Sequence, residues 1–272
     1  MKALFLDCCD ILQNKNGLSR LQLVSDYVGI RARHLIGVGG PDFPVLGFSL
    51  VVPSRAMALH LYREIILSQV YAFSCASLNP LIIDCGSNVG MSVLFFKRLF
   101  PKAHIIAVEP DPETFGVLQR NISQNGLADV VLHNKAIADR DGTTSFYMNP
   151  GNPGDLGMST IGQGHLPKEL VVPAVRLSKL IGKERVDFLK LDIEGSETGV
   201  VDELAESGTL LFVDQMVIEY HHHIAGRREA LSHILAVLVQ NGFGYQLRGP
   251  DANFRERESF QVVWIYAYSK GA

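Results

Sequence analysis

The stretch Leu81-Ile82-Ile83-Asp84-Cys85-Gly86-Ser87-Asn88-Val89-Gly90 is an apolar run that ends in two glycines four positions apart, directly before a helical pattern. A strand, a glycine turn and a helix in this order are typical of the ligand-binding edge of a parallel α/β sheet. Glycine permits a sharp turn and lets backbone amides approach a ligand, and the next helix offers unpaired N–H groups. The stretch therefore predicts a strand end that holds an anionic or zwitterionic ligand.

Short apolar runs alternate with helical patterns from about residue 80 onward, which is the rhythm of βαβ units. The fold class is therefore α/β, a doubly wound sheet that is mostly parallel. Its last run alternates as in an antiparallel edge pair. The predicted strands are 81–84, 104–109, 130–134, 186–192, 216–220, 244–248 and 260–268, and the predicted helices are 92–100, 113–125 and 227–241.

Residues 1–78 have a different pattern. A helical start and two extended segments in the turn region between Gly37 and Gly47 precede a helix over 54–68, with Ser54 as its N-cap. This pattern predicts a mixed α/β N-terminal cap on the substrate side of a domain that spans 79–272. The stretch 148–173 is rich in Gly and Pro without a clear period, and we expect a long covering or binding loop there.

Composition excludes several classes of protein. An apolar fraction of 47 % excludes disordered and fibrous chains, and a net charge of −3 offers no basic surface for nucleic acid or an anionic membrane. Asp7 interrupts the apolar N-terminus too early for a signal peptide, and the cysteines show no C-x-x-C spacing. We expect a soluble cytoplasmic protein that acts on a small molecule, with the exposed face of the cap available for a homodimer.

The glycine loop distinguishes between two kinds of cofactor. A dinucleotide enzyme needs G-x-G-x-x-G, but the residue two after Gly86 is Asn88. The carboxylate of Asp84 would repel a pyrophosphate, whereas it would attract the ammonium of a methionine moiety. Glu109, at the tip of the next strand, offers two oxygens to the two hydroxyls of a ribose. The spacing favours S-adenosylmethionine over NAD.

Four segments, taken in order and spacing, are distinctive. They are Asp84-Cys85-Gly86-Ser87-Asn88-Val89-Gly90, Val108-Glu109-Pro110-Asp111, Asn121 with Asn125-Gly126-Leu127, and Leu189-Lys190-Leu191-Asp192-Ile193-Glu194-Gly195-Ser196-Glu197. Together they resemble the FkbM-type methyltransferases, which depend on S-adenosylmethionine. The last segment, with its Lys-x-Asp-x-Glu-Gly-x-Glu pattern, is the most distinctive of the four.

The resemblance implies a class I methyltransferase fold with a Rossmann-like sheet. It implies S-adenosyl-L-methionine as cofactor, S-adenosyl-L-homocysteine as product, and usually O-methylation of a natural product, sugar or related metabolite. The implied cofactor contacts are Asp84, Gly86, Ser87, Asn88 and Gly90 for the methionine part, Glu109 with Pro110 and Asp111 for the ribose, and Asn134 and Ala136 for the adenine.

Methyl transfer requires a positioned acceptor oxygen and a group that takes its proton. Asp192 and Glu194 follow a predicted strand and share a face if the strand continues. We expect Asp192 to lie closest to cofactor or acceptor and Glu194 to orient or deprotonate a hydroxyl. The alternatives are that Glu194 caps the following helix and that Glu197 only favours the helix N-terminus.

The strand 216–220 ends in Glu219-Tyr220-His221-His222-His223. Histidine suits general base work near neutral pH, and His221 is the preferred base because it directly follows the strand. A solvated histidine cluster is the alternative. Residues expected to contact the acceptor are Glu219, His222, Tyr71, Ser159 and Thr160.

Asp192, Glu194, Glu219 and His221 could converge on a divalent ion, but helical H-x-x-x-H and C-x-x-C spacings are missing, so no metal is predicted. Two other functions remain open for the same fold. One is an NAD-dependent oxidoreductase, and the other is a binding protein that keeps the cofactor pocket and transfers nothing. The presence of Asp192 and Glu194 disfavours the second.

Overall fold

A computed structural model describes residues 18–37, 40–148, 168–223, 228–249 and 261–271. The predicted acceptor contacts Ser159 and Thr160 therefore lie outside the described residues, as do Cys8 and Cys9. Cys75 and Cys85 are free thiols, and Cys85 is buried. Among the residues described, no helix combines the length and the apolar character needed to cross a membrane.

The N-terminal segment contains helix α1 (Arg20–Ile36), strands β1 (Asp42–Val45) and β2 (Phe48–Val51), and helix α2 (Arg55–Leu61), which continues as a π-helical turn over Tyr62–Leu67. Ser54 caps α2, because its side chain accepts from the backbone N–H of Met57 at 3.2 Å. Strands β1 and β2 form an antiparallel hairpin.

The remaining elements follow in chain order. They are β3 (Leu81–Cys85), α3 (Met91–Leu99), β4 (His104–Val108), α4 (Pro112–Gln124), β5 (Val130–His133), β6 (Ala136–Ala138), β7 (Gly142–Met148), β8 (Lys168–Arg176), α5 (Leu177–Ile181), β9 (Phe188–Leu191), α6 (Glu197–Glu206), a 3₁₀ turn (Thr209–Phe212), β10 (Gln215–His222), α7 (Leu231–Gln240), β11 (Phe243–Arg248) and β12 (Gln261–Ser269).

Seven strands form the central sheet in the order β11-β12-β10-β9-β3-β4-β5. Strands β10, β9, β3, β4 and β5 run parallel, whereas β12 is antiparallel to both β10 and β11. The predicted mostly parallel sheet with an antiparallel edge is confirmed. Because β12 inserts between β10 and β11, the outermost strand on that side is β11.

Several predicted boundaries differ from the structure; the helix predicted over 227–241, for example, is α7 (Leu231–Gln240). The predicted loop over 148–173 is wrong at both ends, because Met148 belongs to β7 and 168–173 to β8, which pair antiparallel. In β8 the strand preference of the β-branched residues Val171 and Val172 outweighs the unfavourable effect of the neighbouring Pro173 on strand formation. The strand predicted over 216–220 continues to His222, because β10 pairs with β12 along its whole length. His221 is therefore a strand residue, on the same face as Glu219.

The N-terminal segment and the central sheet share one apolar core. Tyr27 and Ile30 of α1 belong to the same buried cluster as Phe95 and Phe96 of α3. Asn121 of α4 adds a polar connection, since its amide donates to the carbonyls of Val51 and Val89 at 2.9 and 2.8 Å and accepts from the Val51 N–H. The asparagine of the third sequence segment thus ties β2 to the glycine loop.

Candidate active site

The glycine loop turns at the carboxyl end of β3. Gly86, Asn88 and Gly90 all have positive φ, at 82°, 48° and 91°. A Cβ on Gly86 would lie 1.8 Å from the carbonyl oxygen of Asp192, which leaves room only for glycine. Ser87 donates from its hydroxyl to the carbonyl of Asp84 at 2.8 Å. The loop is therefore ordered by its own contacts and lies against the end of β9.

Asp84 is fully buried beneath this loop. Its Oδ2 accepts from the Ser92 hydroxyl at 2.5 Å, and its Oδ1 lies 3.4 Å from the ammonium of Lys190. These contacts give Asp84 a role in holding the start of α3 and the loop together. Its direct contact with a cofactor stays a prediction.

Glu109 lies at the carboxyl end of β4, next to the glycine loop. Its two oxygens accept from the backbone N–H groups of Asn88 and Asp111, each at 2.9 Å. Burial raises the pKa of Glu109 to about 8, although these two hydrogen bonds oppose the shift. A carboxylate in this position has lone pairs left for further hydroxyl donors, which fits the two hydroxyls of a ribose.

Most of the residues around Glu109 stabilise the backbone on either side of it through hydrogen bonds. Asp111 is the N-cap of α4 and accepts from the N–H and the hydroxyl of Thr114. Asn134 donates to the carbonyls of Glu109 and Pro110 at 2.9 and 3.0 Å. Ala136 is buried in β6. The predicted ribose and adenine contacts are thus brought to one edge of the sheet, and their contact with a cofactor stays a prediction.

Lys190 occupies the centre of the site, and its side chain is 2 % exposed. Its ammonium lies 3.0 Å from Oδ2 of Asp192 and donates to the carbonyl of Gly86 at 2.8 Å. Burial alone would lower the pKa of Lys190, but the carboxylates of Asp192 and Asp84 outweigh burial and raise it. Lys190 is therefore a charged group that joins the ends of β3 and β9.

Asp192 and Glu219 meet a residue of the N-terminal segment. Tyr71 donates from its hydroxyl to Oε2 of Glu219 at 3.0 Å and lies 3.5 Å from Oδ2 of Asp192. Trp264, directly opposite Glu219 on β12, donates to the same oxygen at 3.2 Å. Burial, reinforced by the charge of Asp192, raises the pKa of Glu219 to about 8. Both predicted acceptor contacts, Tyr71 and Glu219, are buried in this arrangement.

His221 lies between two carboxylates. Its Nδ1 is 3.2 Å from Oε1 of Glu197, and its Nε2 is 3.2 Å from Oε2 of Glu194. Glu197 also accepts from the N–H groups of Ile193 and Gly195, so it holds the turn that carries Glu194. Glu197 thus serves as the acceptor for two backbone N–H groups of this turn. The imidazole side chain is 4 % exposed, and the Glu194 side chain is 25 % exposed.

Glu194 and His221 each affect the pKa of the other through their charges. Burial raises the pKa of Glu194 well above its usual range, and the charge of His221 only partly opposes this shift. Burial alone would lower the pKa of His221, but the hydrogen bond and charge of Glu197, together with the charge of Glu194, raise it. Such a pair can hold and pass one proton beside Asp192.

A polar cleft of about 510 Å³ opens beside this pair. Its volume lies within the range of small-molecule sites. At its rim, both His222 and His223 contact the carboxylate of Glu229. The predicted acceptor contact His222 thus pairs with Glu229, which lines the cleft, and its contact with an acceptor stays a prediction. Charged and titratable residues that line the cleft include Asp139, Arg140, Glu197, His221, His223 and Arg228.

Among the residues that the structure describes, two groups of side chains bring donor atoms within 4.8 Å of one another, close enough to share an ion. One is Asp192, Glu219 and His221, and the other is His222, His223 and Glu229. In the first group the Lys190 ammonium already neutralises Asp192. The sequence prediction of no metal stays a prediction.

Residues 84–247, more than half of the chain, match the methyltransferase FkbM domain. The chain belongs to the FkbM methyltransferase family. Membership in the FkbM family confirms the resemblance of the four segments and implies S-adenosylmethionine as the methyl donor. The central sheet is accordingly that of a class I methyltransferase, and methyl transfer is favoured over hydride transfer.

Two relatives and one solved structure illustrate what this chain is similar to. Methyltransferase 1 of Beauveria bassiana is 27 % identical over 211 residues, which cover 70 % of this chain and 83 % of that protein. The 31-O-demethyl-FK506 methyltransferase FkbM of Streptomyces tacrolimicus is 27 % identical over 234 residues, covering 72 % and 88 %. The crystal structure of M. jannaschii TYW2 in complex with AdoMet is 16 % identical with a TM-score of 0.47, covering 85 % and 88 %.

Sequence reasoning did not assign a site role to several residues of this FkbM protein. Lys190 could have been found, because a lysine inside the apolar strand Phe188-Leu189-Lys190-Leu191 needs a buried partner. For Glu197 the sequence leaves two interpretations open, a role in the site and a charge that only favours the helix N-terminus. Trp264 carries no local signal, because its contact with Glu219 depends on the pairing of β12 with β10.

Proposed function

We propose that this protein transfers the methyl group of S-adenosylmethionine to a hydroxyl oxygen of a small metabolite, such as a natural product or a sugar. The observation that carries the proposal is the Glu194–His221 pair beside Asp192, at the sheet edge that also carries the glycine loop and Glu109. The printed name of the FkbM relative, a 31-O-demethyl-FK506 methyltransferase, supports oxygen as the acceptor atom.

When bound, S-adenosylmethionine supplies an electrophilic methyl group on a sulfonium. Glu109 would hold its ribose, and Asp192 would lie near its methionine part. We place the acceptor in the polar cleft that His221 lines, with its hydroxyl directed at Glu194, whose Oε2 lies 3.2 Å from Nε2 of His221.

Glu194 would take the proton of that hydroxyl, so that the acceptor oxygen could bond to the methyl carbon while the methyl–sulfur bond breaks and S-adenosylhomocysteine leaves. The sequence favours His221 as the base. Because both ring nitrogens of His221 face carboxylates, we assign it instead to positioning Glu194 and holding the relayed proton.

Calorimetry with S-adenosylhomocysteine tests the cofactor half of the proposal. We expect binding to the wild-type protein and a large loss of affinity in Glu109→Ala, because the paired hydroxyl contacts are removed. A folded wild-type protein that gives no binding signal with either cofactor form would contradict the proposal.

Transfer of label from methyl-labelled S-adenosylmethionine into fractionated metabolite extract tests the acceptor half. We expect label in an acid-stable, base-stable ether of a small molecule. Label recovered only on amines or carbon would contradict oxygen as the acceptor and leave methyl transfer intact.

A further inference from the structure

Lys190 is a buried cation that takes no step in the scheme above. An ammonium placed inside a sheet is costly unless it is paired and hydrogen-bonded. Here the oxygens of two carboxylates, Asp192 and Asp84, lie at 3.0 and 3.4 Å. The carbonyl oxygens of Gly86 and Cys85 lie at 2.8 and 3.3 Å. Four oxygens from two strand ends thus converge on one nitrogen.

We propose that Lys190 is the resident cation of this site, a positioning residue that holds Asp192 and the glycine loop in one fixed arrangement. The inference rests on the methyltransferase function proposed above. In this role the lysine ammonium provides the positive charge that a metal ion would otherwise bring to the carboxylates.

The surroundings of the ammonium suit a single fixed charge. The ring of Tyr71 lies 5.1 Å from Nζ, a cation–π contact that covers a further side of the ammonium. Tyr71 also donates to Glu219, so a neutral hydroxyl holds the Glu219 carboxylate, whereas the Lys190 ammonium holds Asp192. Lys190 is thus the cation shared by Asp84 and Asp192, whereas Glu219 accepts from the neutral donors Tyr71 and Trp264.

The same contacts couple the two strand ends mechanically. The backbone N–H of Asp192 donates to the carbonyl of Cys85 at 3.2 Å, and Gly86 lies against the Asp192 carbonyl. The ammonium bridges the remaining gap by contacting both the Gly86 carbonyl and the Asp192 side chain. Removing the charge would free the Asp192 carboxylate and release the loop that is expected to bind the cofactor.

Chemical rescue provides the test, because a purely structural role would not respond to a small added cation. We expect Lys190→Ala to weaken S-adenosylhomocysteine binding at least tenfold in calorimetry and to lower the thermal midpoint. Ethylammonium chloride should restore most of both losses, because it can enter the vacated space and donate hydrogen bonds. Tetramethylammonium chloride, which has the same charge but no N–H, should restore neither.

Two control variants separate this role from general effects of losing a buried lysine. Lys190→Met fills the space and should not be rescued. Lys97 is also buried and donates to the carbonyls of Ala103 and Ala128, away from the site. Lys97→Ala should lower the thermal midpoint and keep wild-type cofactor affinity.

Wild-type affinity in Lys190→Ala, or losses that ethylammonium and tetramethylammonium restore equally, would overturn the proposal. If Lys190→Ala does not fold, the double variant with Lys190→Ala and Asp192→Asn tests the proposal instead. Neutralising the unpaired Asp192 carboxylate should restore folding. A double variant that also fails to fold would overturn it. If the wild-type protein does not bind S-adenosylhomocysteine, the proposed function fails, and the ethylammonium effect on the thermal midpoint still decides the role of Lys190.

Discussion

Burial of carboxyl groups dominates the chemistry of this site at the scale of single residues. Glu109, Glu194 and Glu219 all have raised pKa values, chiefly because each is buried. Each of them therefore binds a proton more tightly than a carboxyl group in water. Cofactor affinity, stability and turnover should respond accordingly to pH or to substitution of these residues.

Affinity for S-adenosylhomocysteine should increase with pH as Glu109 ionises. Its pKa is raised to about 8, and a ribose donates two hydroxyl hydrogens, which a carboxylate accepts better than a protonated carboxyl does. We expect the dissociation constant from calorimetry to fall between about pH 6.5 and about pH 9. Glu109→Gln should bind S-adenosylhomocysteine about tenfold more weakly, a loss of ~1.4 kcal/mol in binding free energy. Its affinity should not show this dependence on pH. Parallel pH profiles for the two proteins would contradict the assignment.

The stability of the cofactor-free protein should show the opposite dependence. The folded pKa of Glu109, about 8, lies above the ordinary value of 4.5, so the proton binds the folded state more tightly. This stabilisation is complete below the ordinary pKa and is lost as the pH rises through the folded pKa. Between those two pH values the thermal midpoint of the wild-type protein should fall more than that of Glu109→Gln. An equal fall in both would show that other groups carry the effect.

Glu194→Gln tests the proposed base. Loss of a general base lowers turnover by about 10²–10⁴-fold, while cofactor affinity should change by less than about twofold. Turnover is measured with the acceptor fraction that receives label, and affinity by calorimetry. The matched control is Glu206→Gln, at the exposed end of α6, which should keep wild-type turnover. Retained turnover in Glu194→Gln would move the base to another residue.

The loop between β3 and α3 is the decisive element at the next scale, because its backbone leaves no room for a side chain at one position. Gly86→Ala would place a Cβ 1.8 Å from the Asp192 carbonyl oxygen, in a conformation with φ of 82°. Backbone atoms on both sides prevent relief of this clash. We expect the free energy of unfolding in urea to fall by about 3 kcal/mol or more.

Gly116→Ala is the matched control for that substitution. Gly116 lies on α4, has ordinary helical φ, and would place its Cβ in open space. Alanine is the better helix former, so the free energy of unfolding of this variant should rise by about 0.5–1 kcal/mol. A Gly86→Ala protein as stable as the Gly116→Ala protein would contradict the close approach of the loop to Asp192.

At the scale of the whole molecule, the N-terminal segment and the sheet depend on each other. Tyr27 and Ile30 pack in one core with Phe95 and Phe96, and Asn121 joins β2 to the glycine loop. Tyr71 from the N-terminal segment also reaches Glu219. The division at residue 78 stays a proposal about chain organisation and does not imply independent folding.

A fragment of residues 79–272 should therefore fail to fold cooperatively. Its apolar surface on α3 would be exposed, and its Asn121 amide would lack the Val51 partners. We expect the fragment to show no cooperative thermal transition by circular dichroism, whereas the full chain shows one. A fragment that unfolds cooperatively and binds S-adenosylhomocysteine would show that the sheet is a self-sufficient domain.

The sequence by itself determined the features that depend on neighbouring residues. The run from Leu81 to Gly90 specifies strand, glycine turn and helix locally, and alternating apolar periods specify the parallel sheet with its antiparallel edge. The order and spacing of the four segments also sufficed to indicate the family. Gly and Pro misled the prediction around β8, where β-branched residues and pairing with β7 prevail.

Which side chains meet depends on how the chain packs in three dimensions. The contacts of His221 with Glu197 and Glu194, and of Tyr71 and Trp264 with Glu219, join residues far apart in the chain. They depend on the register of β10 against β12 and on the packing of the N-terminal segment, neither of which has a local sequence signal. Burial, which raises the pKa values of the carboxyl groups, is likewise a property of the packed molecule.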